Sequence, residues 1–138
     1  MTMRGLMIAV IGALAMACEG STPTGPSEVT MTTETFAGSL AVGASRFYSF
    51  TVNAGGTVSV TLASVTAQAD GTTLTQPLEI GIGIPAGTGC RVAVARSAMS
   101  GLVTQLQMSA ASGVHCVRVS DTAGLPSPIN FSLRFTHP

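Results

Sequence analysis

The chain has no tryptophan, no lysine, a single tyrosine and two histidines among its 138 residues. Charged residues make up 9% of it, far below the average of about 25%. Six basic residues balance six acidic ones, which leaves no basic patch for nucleic acid and no acidic field to steer a cation. Ser, Thr, Gln and Gly supply most of the polar surface instead.

These shortages exclude much chemistry. An active site needs titratable groups that converge, and the six acids are scattered along the chain. His137 adjoins the C-terminus and is expected to fray. His115 falls in mid-strand on an inward slot, where a lone histidine more often serves packing than proton transfer. A set of His115, Asp121 and a serine can be named, but no G-x-S-x-G elbow supports it. Calcium takes six to eight oxygens, several from carboxylates, and Asp70, Glu79 and Asp121 lie too far apart in sequence. No metal and no cofactor is therefore expected. Sugar sites commonly stack a ring on exposed Trp or Tyr, whereas Tyr48 alternates with the core residues of its strand. Phe47 points the opposite way and is the best candidate for an exposed ligand contact.

The N-terminus carries the strongest positive signal. Arg4 precedes an unbroken run of apolar residues and glycine from Leu6 to Met16, too short for the about 20 residues that span a bilayer and suited to a signal peptide. Ala15 and Ala17 provide the small residues that a signal peptidase accepts. Leu14-Ala15-Met16-Ala17-Cys18 resembles the lipobox of bacterial lipoproteins, which implies cleavage before Cys18 and acylation of its thiol. Glu19, in place of Asp, implies by the same resemblance sorting to the outer membrane, facing the periplasm or the outside. Two or more acyl chains make such an anchor effectively permanent. Assigning Cys18 to lipid leaves Cys90 and Cys116 as an even pair in an oxidising compartment. Their disulfide would close a loop of about 27 residues and contribute roughly 3–4 kcal/mol. Ser21-Thr-Pro-Thr-Gly-Pro-Ser27 cannot bury a core and reads as a solvated tether. The chain divides into a signal peptide (1–17), a lipidated cysteine with its tether (18–33) and one domain (34–138).

From residue 45 onward, apolar side chains alternate with polar ones. Tyr48, Phe50 and Val52 share a face, and Asn53-Ala-Gly-Gly56 supplies hairpin chemistry before Val58, Val60 and Leu62. Leu78, Ile80, Ile82 and Ile84 oppose Glu79, Gly81 and Gly83, where the glycines point to a closely approaching backbone or a curved strand. Val92 and Val94 alternate after the turn at Pro85–Gly89. Leu106 and Met108 follow, then Val117 and Val119, and finally Ile129, Phe131, Leu133 and Phe135. Ser97–Gln107 is the one stretch with room for a short helical turn. Seven or eight such strands make an antiparallel two-layer β-sandwich, jelly-roll-like, the expected architecture.

Phe36-Ala-Gly-Ser-Leu40, Ser45-Arg-Phe-Tyr-Ser-Phe-Thr-Val52 with Ala54-Gly-Gly-Thr-Val58, Leu78–Ile84 and Ser112-Gly-Val-His-Cys-Val-Arg-Val119 together resemble the bacterial pre-peptidase C-terminal domain. His115 stands where that family usually carries an aromatic. The resemblance implies a β-sandwich without catalysis of its own, accessory to secretion or to an enzyme's hold on a large substrate. The resulting expectation is a non-enzymatic, lipid-anchored envelope protein that contacts a protein partner or an envelope polymer. The alternatives are a carbohydrate-binding surface module using Phe47, and a secreted hydrolase of unfamiliar type depending on His115. Mass spectrometry of the mature protein is expected to find acylated Cys18 as its first residue; an unmodified Cys18 or another cleavage point removes the anchor.

Overall fold

The computed structural model describes residue 25 and residues 28–138. The expected signal peptide, Cys18 and most of the expected tether lie outside the described residues. Eight strands follow in order: β1 (Thr32–Leu40), β2 (Ser45–Val52), β3 (Gly56–Ala67), β4 (Leu78–Ala86), β5 (Gly89–Ala98), β6 (Leu106–Ala110), β7 (Gly113–Ser120) and β8 (Ile129–His137). β1 opens inside the stretch expected to be tether. No helix occurs among the described residues, so the helical turn allowed at Ser97–Gln107 is replaced by the end of β5, an irregular loop and the start of β6.

The strands form two four-stranded antiparallel sheets, β1-β8-β3-β6 and β2-β7-β4-β5. This is the jelly-roll arrangement, in which most connections pass from one layer to the other. The hairpin expected between β2 and β3 does not form: β2 pairs with β7, and β3 pairs with β6 and β8. The turn at 53–55 reverses the chain but carries it across the gap of about 10 Å between layers. Phe50 and Val52 thereby face Val58 and Val60 through the core. Turn residues specify a reversal and leave open which layer the second strand joins.

Alternating apolar residues fill the space between the sheets, and Leu40, Val58, Leu62, Ile80, Val117 and Leu133 are fully buried. Two bulges then reset the alternation, since an unpaired extra residue moves all that follows to the other face. In β3, Leu62 pairs with Leu133 and Ser64 with Ser132, so Ala63 is extra and Val65 turns inward opposite Phe131. In β5, Val94 pairs with Ile82 and Val92 with Gly83, leaving Ala93 extra. Val92 and Val94 therefore sit on opposite faces, Val94 against the core and Val92 over Gly81. Ile84 was expected to share the core face of β4, but it lies beyond the last β7 partner, at Gly83, and is 48% exposed.

The glycines of β4 have the predicted cause. Cys90 on β5 and Cys116 on β7 are disulfide-bonded with their Cα atoms 6.0 Å apart. Strands separated by one intervening strand normally stand roughly 9–10 Å apart. At this point β5 folds over the outer face of β4, directly above Gly83. A Cβ at Gly83 would overlap the Arg91 carbonyl, and one at Gly81 would come within 2.8 Å of Val92 Cγ1. Gly83→Ala is expected to destabilise the domain by about 1–3 kcal/mol or more, as overpacking against backbone does. Gly38→Ala, whose Cβ would meet only the Phe131 ring at 3.7 Å, should stay within about 0.5 kcal/mol. Urea unfolding of the two variants checks the contrast.

Candidate docking surface

β6 is shorter than β3 and leaves the second half of β3 without a partner on that side. The loop of residues 99–105 occupies this position. Gly101 N–H donates to the Leu62 carbonyl at 2.9 Å, and Gln105 N–H donates to that of Val60 at 3.0 Å. The Gln105 side chain completes the ladder: its Oε1 accepts from Leu62 N–H at 2.8 Å, and its Nε2 donates to the Met99 carbonyl at 2.5 Å. A single amide thus serves the strand next to its bulge and closes the loop on itself. Two arginines fasten the loop from outside, Arg134 on the Leu102 carbonyl and Arg96 on the Gln105 carbonyl, each at 3.3 Å. Thr61, between the Val60 and Leu62 carbonyls that the loop bonds, is buried.

With these groups so occupied, the loop turns Met99, Leu102 and Val103 to solvent. Met99 is 61%, Leu102 85% and Val103 74% exposed. Contiguous apolar exposure of this kind marks interaction sites. Beneath it lie two shallow depressions that share Arg96, Thr104 and Gln105. One, of about 340 Å³, extends to Leu106 and Gln107; the other, of about 420 Å³, extends to Met99 and Val103.

The charge balance of the whole chain hides a local asymmetry. No acidic residue occurs between Glu79 and Asp121 or after Asp121. Glu79 pairs with Arg118 at 2.7 Å. Glu34 accepts from the Tyr48 hydroxyl at 3.0 Å and meets His137 Nε2 at 2.9 Å. Its carboxylate holds the Tyr48 phenol above its ordinary pKa, through the hydrogen bond first and its charge second. Asp70 accepts from Thr72 N–H at 3.0 Å, which lowers its pKa. Among the described residues, no carboxylate lies within 4.0 Å of Arg96 or Arg134.

The residues singled out from sequence are dispersed. Phe47 is 38% exposed on the outer face of β2. β2 and β5 are opposite edges of their sheet, so Phe47 is far from the loop. Tyr48 is equally exposed, a departure from its expected core position. Its ring stacks on Phe36 at 5.6 Å and tilts against Phe135 at 5.8 Å, at the seam between β1 and β2. His115 is buried, with Nε2 at 2.9 Å from the Ala111 carbonyl; a carbonyl only accepts, so Nε2 carries the hydrogen. His115 and Asp121 stand near opposite ends of β7, roughly 20 Å apart at strand rise, and do not meet.

His137 does not fray. It continues the inward series of Ile129, Phe131, Leu133 and Phe135, is buried, and lies 4.9 Å from the Phe50 ring. Among the described residues no group of three or more His, Cys, Asp or Glu is placed to hold a metal ion. Met99, Leu102 and Val103 were not singled out from sequence. Their signal was present as apolar residues in a Ser- and Gly-containing stretch without alternation, which a short helical turn accommodated equally well.

Asp121 has a structural task. Its carboxylate accepts from Gly43 N–H at 2.7 Å, Gly124 N–H at 2.8 Å and Leu125 N–H at 2.9 Å. This binds the β1–β2 turn to the β7–β8 loop at one end of the sandwich.

Comparison with known proteins finds no matching family and no matching curated relative. Among solved structures, the chain is similar to PliG of Aeromonas hydrophila, a periplasmic lysozyme inhibitor of g-type lysozyme. The TM-score is 0.44 at 15% identity, over 75% of this chain and 83% of that one.

The N–H groups of Gly43, then Leu125 and Gly124, hold the Asp121 carboxyl below its ordinary value of 3.8. Its contribution to stability is present above that value and is lost as pH falls through the lower folded one. Asp121→Asn is expected to unfold at lower denaturant than the parent at pH 7, with the difference closing below pH 3.8. A gap of equal size at pH 7 and under strong acid would remove the carboxylate's role.

Proposed function

We propose that this chain is a non-enzymatic, lipid-anchored module of the bacterial outer membrane, of pre-peptidase C-terminal type, that works by contact with another envelope component. The observation that carries the reading is the loop of residues 99–105, whose backbone is bonded to β3, Arg96 and Arg134 while Met99, Leu102 and Val103 project into solvent. A rigid apolar projection loses little conformational freedom on binding, so more of its contact energy remains as affinity. Anchoring is supported by the Cys18 motif and by the pairing of Cys90 with Cys116, which accounts for the other two of the three cysteines. The Pro- and Thr-rich stretch after Cys18 suits a tether that lets the sandwich stand clear of the lipid.

The test separates contact from anchoring. Mature chains (residues 18–138) carrying Cys18→Ser, which cannot be acylated and lack the apolar leader, are incubated with isolated outer envelope and sedimented. The parent loop is expected to co-sediment, and Leu102→Asp combined with Val103→Asp should lower the bound fraction by tenfold or more, with an unchanged melting temperature. Equal sedimentation of the two chains would defeat the assignment of the loop as the contact.

A further inference from the structure

The exposed loop must meet a surface of particular chemistry, and its composition separates two kinds. Protein hot spots are enriched in Trp, Tyr and Arg, while Leu and Val are under-represented there. They also favour pockets, whereas Leu102 and Val103 stand proud of the fold. Leu and Val do partition favourably into a bilayer. A segment entering an apolar layer must carry its backbone polar groups already bonded. The loop meets that demand in part: the Gly101 and Gln105 N–H groups and the Met99, Leu102 and Gln105 carbonyls are bonded to β3, to the Gln105 side chain or to an arginine, while the backbone groups of Val103 and Thr104 are left to water, which limits entry to the hydrated headgroup–acyl boundary. Beside the apolar tip, Arg96 and Arg134 have no carboxylate within 4.0 Å among the described residues. Long arginine side chains at such a boundary lay their stems on apolar surface and keep the charge among headgroups.

From these observations, and resting on the reading of the loop as a contact site, we infer that residues 99–105 dock onto an anionic lipid surface. Met99, Leu102 and Val103 enter the headgroup–acyl boundary, and Arg96 and Arg134 face the headgroup phosphates. Residues 19–31 span at most roughly 45 Å when extended, against about 30 Å for a strand as long as β1. A domain anchored at Cys18 therefore has the reach to lay this loop on the leaflet that holds its own acyl chains. The module would rest on the membrane at two points.

Because the chain contains no tryptophan, Leu102→Trp in the mature chain (residues 18–138) carrying Cys18→Ser is a single-site reporter, with Val103→Trp as a second. The probes are vesicles of phosphatidylethanolamine with about a third phosphatidylglycerol, and vesicles of phosphatidylcholine alone. On the anionic vesicles, the emission of the introduced indole in the Leu102→Trp chain is expected to shift to the blue and to be quenched by lipids brominated near the headgroup. High salt should weaken the effect, as it screens headgroup attraction. Arg96→Gln combined with Arg134→Gln should lower vesicle affinity roughly tenfold or more. No shift and no quenching at either reporter would overturn the inference. Equal binding to neutral vesicles would overturn the role of the arginines. Loop-dependent sedimentation with isolated envelope but no response to vesicles would point to a protein partner; it would end the lipid assignment and leave the contact function standing.

Discussion

The crossing of β5 over β4 constrains the rest of the second sheet. Three features must coincide at one point: a disulfide from β5 to β7, an extra residue at Ala93, and no side chain on Gly83. The bridge alone would pull β5 out of plane; the bulge supplies the slack, and the glycine supplies the space. Any bulkier residue at Gly83 would drive the Arg91 carbonyl away and strain the link to Cys116. In return, the far half of β5 keeps a regular ladder with β4 up to Ala98. The loop that begins at Met99 therefore starts from a fixed strand end.

The same loop compensates for an irregularity in the first sheet. β6 is too short to accompany β3 along its length, and the bulge at Ala63 disturbs the ladder where β6 stops. A buried backbone group left unpaired costs about as much as a lost hydrogen bond. Gln105 meets that cost with its side chain and Gly101 with its backbone. Fixing these polar groups inward leaves apolar side chains as what the loop can present outward. The exposure of Met99, Leu102 and Val103 follows from how the edge of β3 is satisfied.

Charge is organised in the same way. A chain with six residues of each sign has most of its described acids engaged within the fold. Asp121 ties two loops, Glu34 bridges Tyr48 and His137, and Glu79 holds Arg118. The arginines beside the exposed loop bond to its carbonyls and to no acid. Formal neutrality thus coexists with two arginines beside the loop that have no carboxylate within 4.0 Å among the described residues.

The amino-acid sequence by itself determined the local character of the chain. Two-residue alternation in β2, β4, β7 and β8 announced a sandwich, cysteine number announced the Cys90–Cys116 pair, and the glycines of β4 announced a close backbone. All of these depend on residues near one another or on a count. Tertiary structure alone decided that β2 and β3 lie in different layers, that single extra residues separate Val92 from Val94 and bring Val65 inward, and that His137 is a core residue. It also decided which apolar residues remain outside. Those outcomes depend on pairing between strands far apart in sequence. A bulge or a layer crossing leaves no periodic mark, and only the partner strand reveals whether an apolar residue such as Leu102 is covered.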